Sequence, residues 1–125
     1  MTQVRLLLVE DEEEAGWVLA DYLALQGVDV CWVRSGAEAL QKLDAEGAQF
    51  TLAVLDVMLP PPDGFALLEA IRQSATTARL PVLFLTARDQ EADEIRGLMS
   101  GADGYLRKPA ALNIVWAHIQ SLLRR

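Results

Sequence analysis

Five polar side chains in this sequence stand at the ends of apolar runs. Glu10 and Asp11 follow "VRLLLV", Asp56 closes "TLAVLD", Thr86 closes "PVLFLT", and Lys108 comes just after "GYL". A carboxylate at the end of a buried run is expensive unless a cation or several donors meet it. Like charges about 4 Å apart at an effective dielectric near ~20 repel by roughly 4 kcal/mol, so three gathered acids call for a counter-ion. With oxygen ligands alone, that ion is hard. Mg²⁺ fits best, since it accepts a few protein oxygens together with water and phosphate, and Mn²⁺ is a workable substitute. Asp56 is then placed to act as a carboxylate nucleophile and form an acyl phosphate. Lys108 can pair with one phosphoryl oxygen and the Thr86 hydroxyl can donate to another, while Ala87 beside it leaves room.

Taken singly, each residue has a plain structural reading. Glu10, Asp11 and Glu12 to Glu14 complement a helix N-terminus, and Asp56 suits a turn. Thr86 suits a strand end, and Lys108 a solvated surface. Their joint placement depends on the elements that carry them. Val4–Val9, Val28–Val33, Thr51–Asp56, Pro81–Thr86 and Gly104–Leu106 read as strands, with the first, third and fourth almost continuously apolar. Ala15, Val18, Leu19, Tyr22 and Leu23 mark a first helix, which Gly27 can end. "SGAE" (Ser35–Glu38) is a capping-box match opening a second helix through Leu40 and Leu43, stopped near Gly47. Phe65, Leu68 and Ile71 mark a third after Asp63. Ile95, Leu98 and Met99 mark a fourth ended by Gly101, and Leu112 to Leu123 a fifth.

This alternation predicts an α/β chain: a doubly wound, five-stranded parallel sheet of flavodoxin-like (βα)5 type, order 2-1-3-4-5, with strands two and five at the edges. Ligands of such sheets sit beyond the carboxyl ends of the strands, at the switch point between the first and the third. All five polar residues fall on that rim. The second strand ends in Val33 and Arg34 and brings no acid to it.

The bulk properties narrow the partners. A chain of 125 residues suits one domain, 1–125. A net charge of −7 makes this domain a poor holder of nucleic-acid phosphates by itself. Cys31 lies in an apolar stretch and reads as a small core residue. No run approaches the ~20 apolar residues of a membrane span, and the first residues lack a signal-peptide pattern, so a reducing, cytoplasmic setting is expected.

The residues just described resemble, over Val4 to Arg125, the receiver domain of two-component response regulators. "LLLVEDEEE" resembles its acidic first loop, which implies Asp11 as a direct Mg²⁺ ligand and Glu10 acting through water. "LDVMLPPPDG" resembles the phosphoacceptor segment. It implies Asp56 as the phosphorylated residue and metal ligand, the Met58 backbone carbonyl as a further ligand, and Pro60, Asp63 and Gly64 as loop-shaping residues. "FLTAR" implies Thr86 as the switch hydroxyl; "GADGYLRKP" implies Tyr105 as the switch aromatic, Lys108 as the ammonium aimed into the site, and a cis Lys108–Pro109 bond. The run Pro60–Pro62 departs from the pattern, where a glycine or flexible residue is more usual after the first proline.

The resemblance further implies a sensor histidine kinase as phosphoryl donor, and no catalysis beyond the domain's own phosphorylation and, with Met58 and Arg88 flanking the site, slow dephosphorylation. "LTARDQEADEIRGLMSGADGYLRKPA" is similar to the OmpR/PhoB-type subfamily, which implies transcription control through a C-terminal DNA-binding domain outside this sequence. A stand-alone phosphorelay receiver is the alternative. The subfamily implies a phosphorylation-dependent homodimer through the fourth helix, fifth strand and fifth helix. Gly104, Ile114 and His118 depart from the charged set used there, and Ile114 and Ala117 offer an apolar contact instead. A haloacid-dehalogenase phosphatase wants an acid two residues after the nucleophile, where Met58 stands; a flavodoxin wants a hydroxyl-rich loop where "EDEEE" stands.

Overall fold

The computed structural model describes residues 3–125. Strands and helices alternate along it: β1 (Arg5–Val9), α1 (Glu13–Leu25), β2 (Asp29–Val33), α2 (Gly36–Glu46), a 3-10 turn (Gly47–Gln49), β3 (Leu52–Leu55), α3 (Gly64–Gln73), β4 (Val82–Thr86), α4 (Glu91–Met99), β5 (Gly104–Arg107) and α5 (Leu112–Leu123). The strands pair in parallel in the order β2-β1-β3-β4-β5. The expected sheet and its order are thus found, with each strand within a residue or two of its anticipated bounds.

Alternation along the strands builds two cores. Leu6, Leu8, Leu52, Val54, Leu83 and Leu85 pack with Leu19 and Leu23 of α1 and Val115, Ile119 and Leu122 of α5. Leu7, Val9, Ala53, Leu55, Val82 and Phe84 pack on the opposite face with Ala39 of α2 and Phe65, Leu68 and Ile71 of α3. Both faces of β1, β3 and β4 are covered, which is why those runs are apolar without a break.

Local signals set the connections. The Ser35 hydroxyl accepts from the Glu38 amide and the Asp63 carboxylate from the Ala66 amide, capping α2 and α3. Gly27 takes φ +89° after α1, a backbone state that disfavours any side chain. α2 stops at Gly47 as expected, but that glycine has φ −52°, so the chain passes straight into the 3-10 turn. The Lys108–Pro109 peptide is cis, as the resemblance implied, and so is Pro61–Pro62.

The apolar pattern misplaced the packing face of α4 and one residue, Val18, of an α1 face otherwise found where expected. Ile95, Leu98 and Met99 of α4 are 54, 44 and 84% exposed. The helix packs instead through Gly97, where an added Cβ would lie 3.2 Å from both the Phe84 and Tyr105 rings. On α1, Val18 is exposed while Gly16 is buried beneath Trp32. In both cases a ring of the sheet needs flat backbone beneath it, and the glycine supplies that.

Candidate functional site

Strand register brings the acids together. Val9 is level with Leu55 in the β1–β3 ladder, so Glu10 and Asp56 are the next residues of adjacent strands. The Asp56 amide donates to the Val9 carbonyl at 3.2 Å, extending the ladder by one bond. Glu10 continues the row of Leu6 and Leu8, and Asp56 that of Leu52 and Val54, so both leave the sheet on the same side. Both are buried, at 5 and 6% exposure.

Lys108 arrives from the other side of β4. Thr86 is level with Arg107, and the Lys108 amide donates to the Thr86 carbonyl at 2.8 Å. From there the ammonium reaches across to donate to Asp56 Oδ2 at 2.9 Å and to Glu10 Oε1. The remaining carboxylate oxygens face backbone donors: Glu10 Oε2 accepts from the Glu12 amide (3.2 Å) and Asp56 Oδ1 from the Met58 amide (2.8 Å). Among the described residues no buried side-chain nitrogen or oxygen lacks a partner.

Two opposing terms set the charges. Burial pushes the Glu10 carboxyl above its usual range, and the hydrogen bond and attraction from Lys108 offset only part of that push. Burial also opposes the Lys108 ammonium, but its hydrogen bonds to Glu10 and Asp56 and their negative charge outweigh it, so its pKa moves up. The ammonium therefore stays charged throughout the neutral range, and it is the Glu10 carboxylate whose charge burial opposes.

Glu10, Asp11 and Asp56 each present one carboxylate oxygen within 4.8 Å of the others. Asp11 is the most open of the three. Oxygen donors alone, clustered at this spacing with Lys108 already balancing one charge, fit a hard divalent ion such as Mg²⁺. Met58 lies in the loop after β3, its side chain half exposed and its amide held by Asp56. That loop is closed tightly, with the Leu59 and Gly64 amides both donating to the Val57 carbonyl, at 3.0 and 3.1 Å. A Cβ on Gly64 would lie 2.3 Å from the Asp56 carbonyl oxygen and 2.7 Å from Val57 Cα. Both are backbone atoms beside the acid. We expect Gly64→Ala to cost about 1–3 kcal/mol, read as a lower melting temperature, and to displace Asp56.

Thr86 and Tyr105 meet at one residue rather than at the acids. The Thr86 hydroxyl, fully buried, accepts from the Arg88 amide at 3.2 Å. The Tyr105 hydroxyl donates to the Arg88 carbonyl at 3.0 Å, and its ring lies 5.8 Å from Phe84. The two expected switch residues thus bracket the start of the loop into α4. His118 is exposed on α5, as expected of a surface residue.

As expected, β2 brings no acid to this rim, but a side chain of the strand and one of its exit reach it. The Trp32 indole N–H donates to the Glu10 carbonyl at 3.0 Å, and Arg34, just past the strand, donates to the Asp11 carbonyl at 2.7 Å. No acid or spacing announces such contacts, which depend on side chains crossing to backbone oxygens over twenty residues away. Beside Glu10 and Lys108, between α1 and α5, an open hollow of about 630 Å³ is walled by Val18, Leu19, Leu112 and Val115.

Comparison with known proteins agrees with this geometry. The family profile described as response regulator receiver domain matches residues 6–120. The chain is 42% identical over 122 residues to the transcriptional activator protein IrlR of Burkholderia pseudomallei, covering 98% of this chain and 51% of that protein. It is 45% identical over 120 residues to the transcriptional regulatory protein GltR of Pseudomonas aeruginosa, covering 96% and 49%. The chain therefore spans about half the length of these relatives. Among solved structures it is similar to the BeF3-activated N-terminal receiver domain of Klebsiella pneumoniae RstA, with TM-score 0.87, 30% identity, and 97% and 99% of the two chains covered. It is likewise similar to the chemotaxis response regulator CheY4 of Vibrio cholerae, with TM-score 0.88, 28% identity, and 97% and 99% covered.

Proposed function

The chain belongs to the response regulator receiver domain family, and on that premise we propose that residues 1–125 form one receiver domain in which Asp56 accepts a phosphoryl group from a sensor histidine kinase. The observation that carries this reading is the Lys108 ammonium held between Asp56 and Glu10 at the switch point of the sheet. In the transfer, an Asp56 carboxylate oxygen forms a bond to phosphorus as the donor's N–P bond breaks, and the departing imidazole keeps the bonding pair. Mg²⁺, when bound, neutralises charge on the phosphoryl oxygens, with Mn²⁺ able to replace it. Asp11, Asp56 and the Met58 carbonyl would hold it directly and Glu10 through water. Lys108 stays by Asp56 and meets the new negative charge. The apolar hollow beside Lys108 offers the donor protein ground next to the reacting carboxylate.

The signal leaves through Thr86. Its hydroxyl gives up the Arg88 amide to donate to the phosphoryl group, which loosens the residue that Tyr105 holds by its carbonyl. Two charge-assisted hydrogen bonds at about 1.5–3 kcal/mol each match the ~5.5 kcal/mol needed to invert a 1:99 population. The face that responds is α4-β5-α5. Ile95, Leu98, Met99 and Ile114 are exposed there, and Ile114 with Ala117 supports an apolar contact between two phosphorylated copies. We read the output as transcription control through a C-terminal DNA-binding domain, since the matched relatives are about twice this length and bear transcriptional names. No helix of the described residues is long and apolar enough to cross a membrane, and we place the protein in the cytoplasm.

Intact-mass measurement after incubation with acetyl phosphate tests the reading. The expected result is a gain of one PO3 unit in the presence of Mg²⁺ and none with a chelator, retained for minutes or longer once the donor is removed. Uptake that ignores the chelator would overturn it.

A further inference from the structure

Three consecutive residues of β2 and its exit hold the backbone of both acids of the first loop. The Glu10 amide donates to the Val33 carbonyl (3.1 Å), the Trp32 indole N–H donates to the Glu10 carbonyl (3.0 Å), and Arg34 Nη2 donates to the Asp11 carbonyl (2.7 Å). Only the first is an ordinary extension of the sheet. The other two are side chains of an edge strand reaching inward, and each is itself braced. An added Cβ on Gly16 would sit 2.2 Å from Trp32 Cζ2, so the indole lies flat on α1 only because residue 16 has no side chain. The Arg34 guanidinium lies 6.0 Å from the centre of the Trp32 ring and 3.8 Å from a Glu13 oxygen, which aims it at the loop.

From this arrangement we propose that Trp32 and Arg34 are positioning residues for the divalent metal: a clasp on the Glu10 and Asp11 carbonyls that keeps both carboxylates turned toward Asp56. The inference rests on the metal-binding reading given above. Its physical basis is repulsion. Glu10, Asp11 and Asp56 put like charges within 4.8 Å, and a loop free to turn about its peptide units would spread them apart before metal arrives. Fixing two successive carbonyls removes that freedom, so the site meets the ion already gathered. Neither side chain would touch the metal; each would act through the backbone of a residue that would bind it directly or through water.

Magnesium titration followed by backbone amide resonances decides the matter, using wild type, Trp32→Phe, Arg34→Gln and Arg34→Lys. Loss of an outer-shell partner of a metal ligand typically weakens binding by 10–100-fold, and about tenfold is expected for Trp32→Phe and for Arg34→Gln. Arg34→Lys keeps a donor and should recover most of the affinity. In the metal-free state the amides of residues 10–12 should shift while the melting temperature stays near that of wild type. Phosphoryl uptake from acetyl phosphate should need more magnesium yet reach the wild-type rate at saturation, a split that general damage would not give. Variants that bind magnesium within about twofold of wild type would overturn the clasp alone. A wild type that binds no magnesium would overturn the reading of the site and the clasp with it.

Discussion

Asp56→Asn protein should fold and take up no phosphoryl group under conditions that load the wild type completely. The substitution keeps the shape of the side chain, and its carbonyl oxygen can still accept from the Met58 amide. Lys108 loses a charged partner but keeps Glu10, so its ammonium is not left unpaired. Removing one negative charge from a group of three acids within 4.8 Å also relieves repulsion. These effects oppose one another, and stability should move by no more than about 1 kcal/mol. Chemistry does not survive the change, because an amide oxygen is too weak a nucleophile to displace the phosphoryl donor. Neither neighbouring acid is placed to substitute. Glu10 is tied to Lys108 and the Glu12 amide, and Asp11 stands farther out on the rim. The check is intact mass at saturating acetyl phosphate and Mg²⁺. A variant that still gains PO3 would show that Asp56 is not the acceptor.

How far the sequence foretold this arrangement depends on the kind of contact. The rows Leu6–Leu8 and Leu52–Val54 and the continuous apolar runs made the parallel sheet legible, and with it the rim on which Glu10, Asp56 and Lys108 meet. Ladder register is then enough to set Glu10 beside Asp56. Contacts that rest on the absence of a side chain were illegible. Gly97 carries the packing of α4 and Gly16 that of Trp32, while the apolar residues around them, Ile95, Leu98, Met99 and Val18, face outward. A periodicity rule weighs what a side chain hides and gives a glycine no weight. Hydrogen bonds from side chain to distant backbone were equally hidden. The Thr86 hydroxyl and the Tyr105 hydroxyl converge on Arg88, and Trp32 and Arg34 converge on the acidic loop, through distances no local pattern encodes.

Lys108→Met should make the stability of the protein depend on magnesium and on pH. In the wild type one ammonium answers two buried carboxylates. Methionine keeps much of the stem's apolar bulk, but Glu10 and Asp56 then face each other with no cation. Breaking a buried ion pair by removing one partner costs about 3–5 kcal/mol; with the Lys108 side chain 23% exposed, a loss of about 2–4 kcal/mol is expected at neutral pH. For a chain of this size that lowers the melting temperature by roughly 10 °C. The sign with pH follows from Glu10. Burial already raises its folded pKa above the unfolded value, even against the pull of Lys108. Its ionised form is thus a cost to the fold at neutral pH, and the cost falls away as pH drops through the folded pKa. Without Lys108 that pKa rises further, so the variant should regain stability on mild acidification, where the wild type, still protected by its ammonium, gains less. Magnesium should restore stability at neutral pH by replacing the missing charge, and more strongly than it stabilises the wild type, because the ion no longer shares the pocket with an ammonium. Thermal melts at neutral and mildly acidic pH, each with and without Mg²⁺, distinguish these terms. A deficit unmoved by both pH and metal would mean that Lys108 supports the fold through packing alone and that the gathered acids do not repel as their spacing requires.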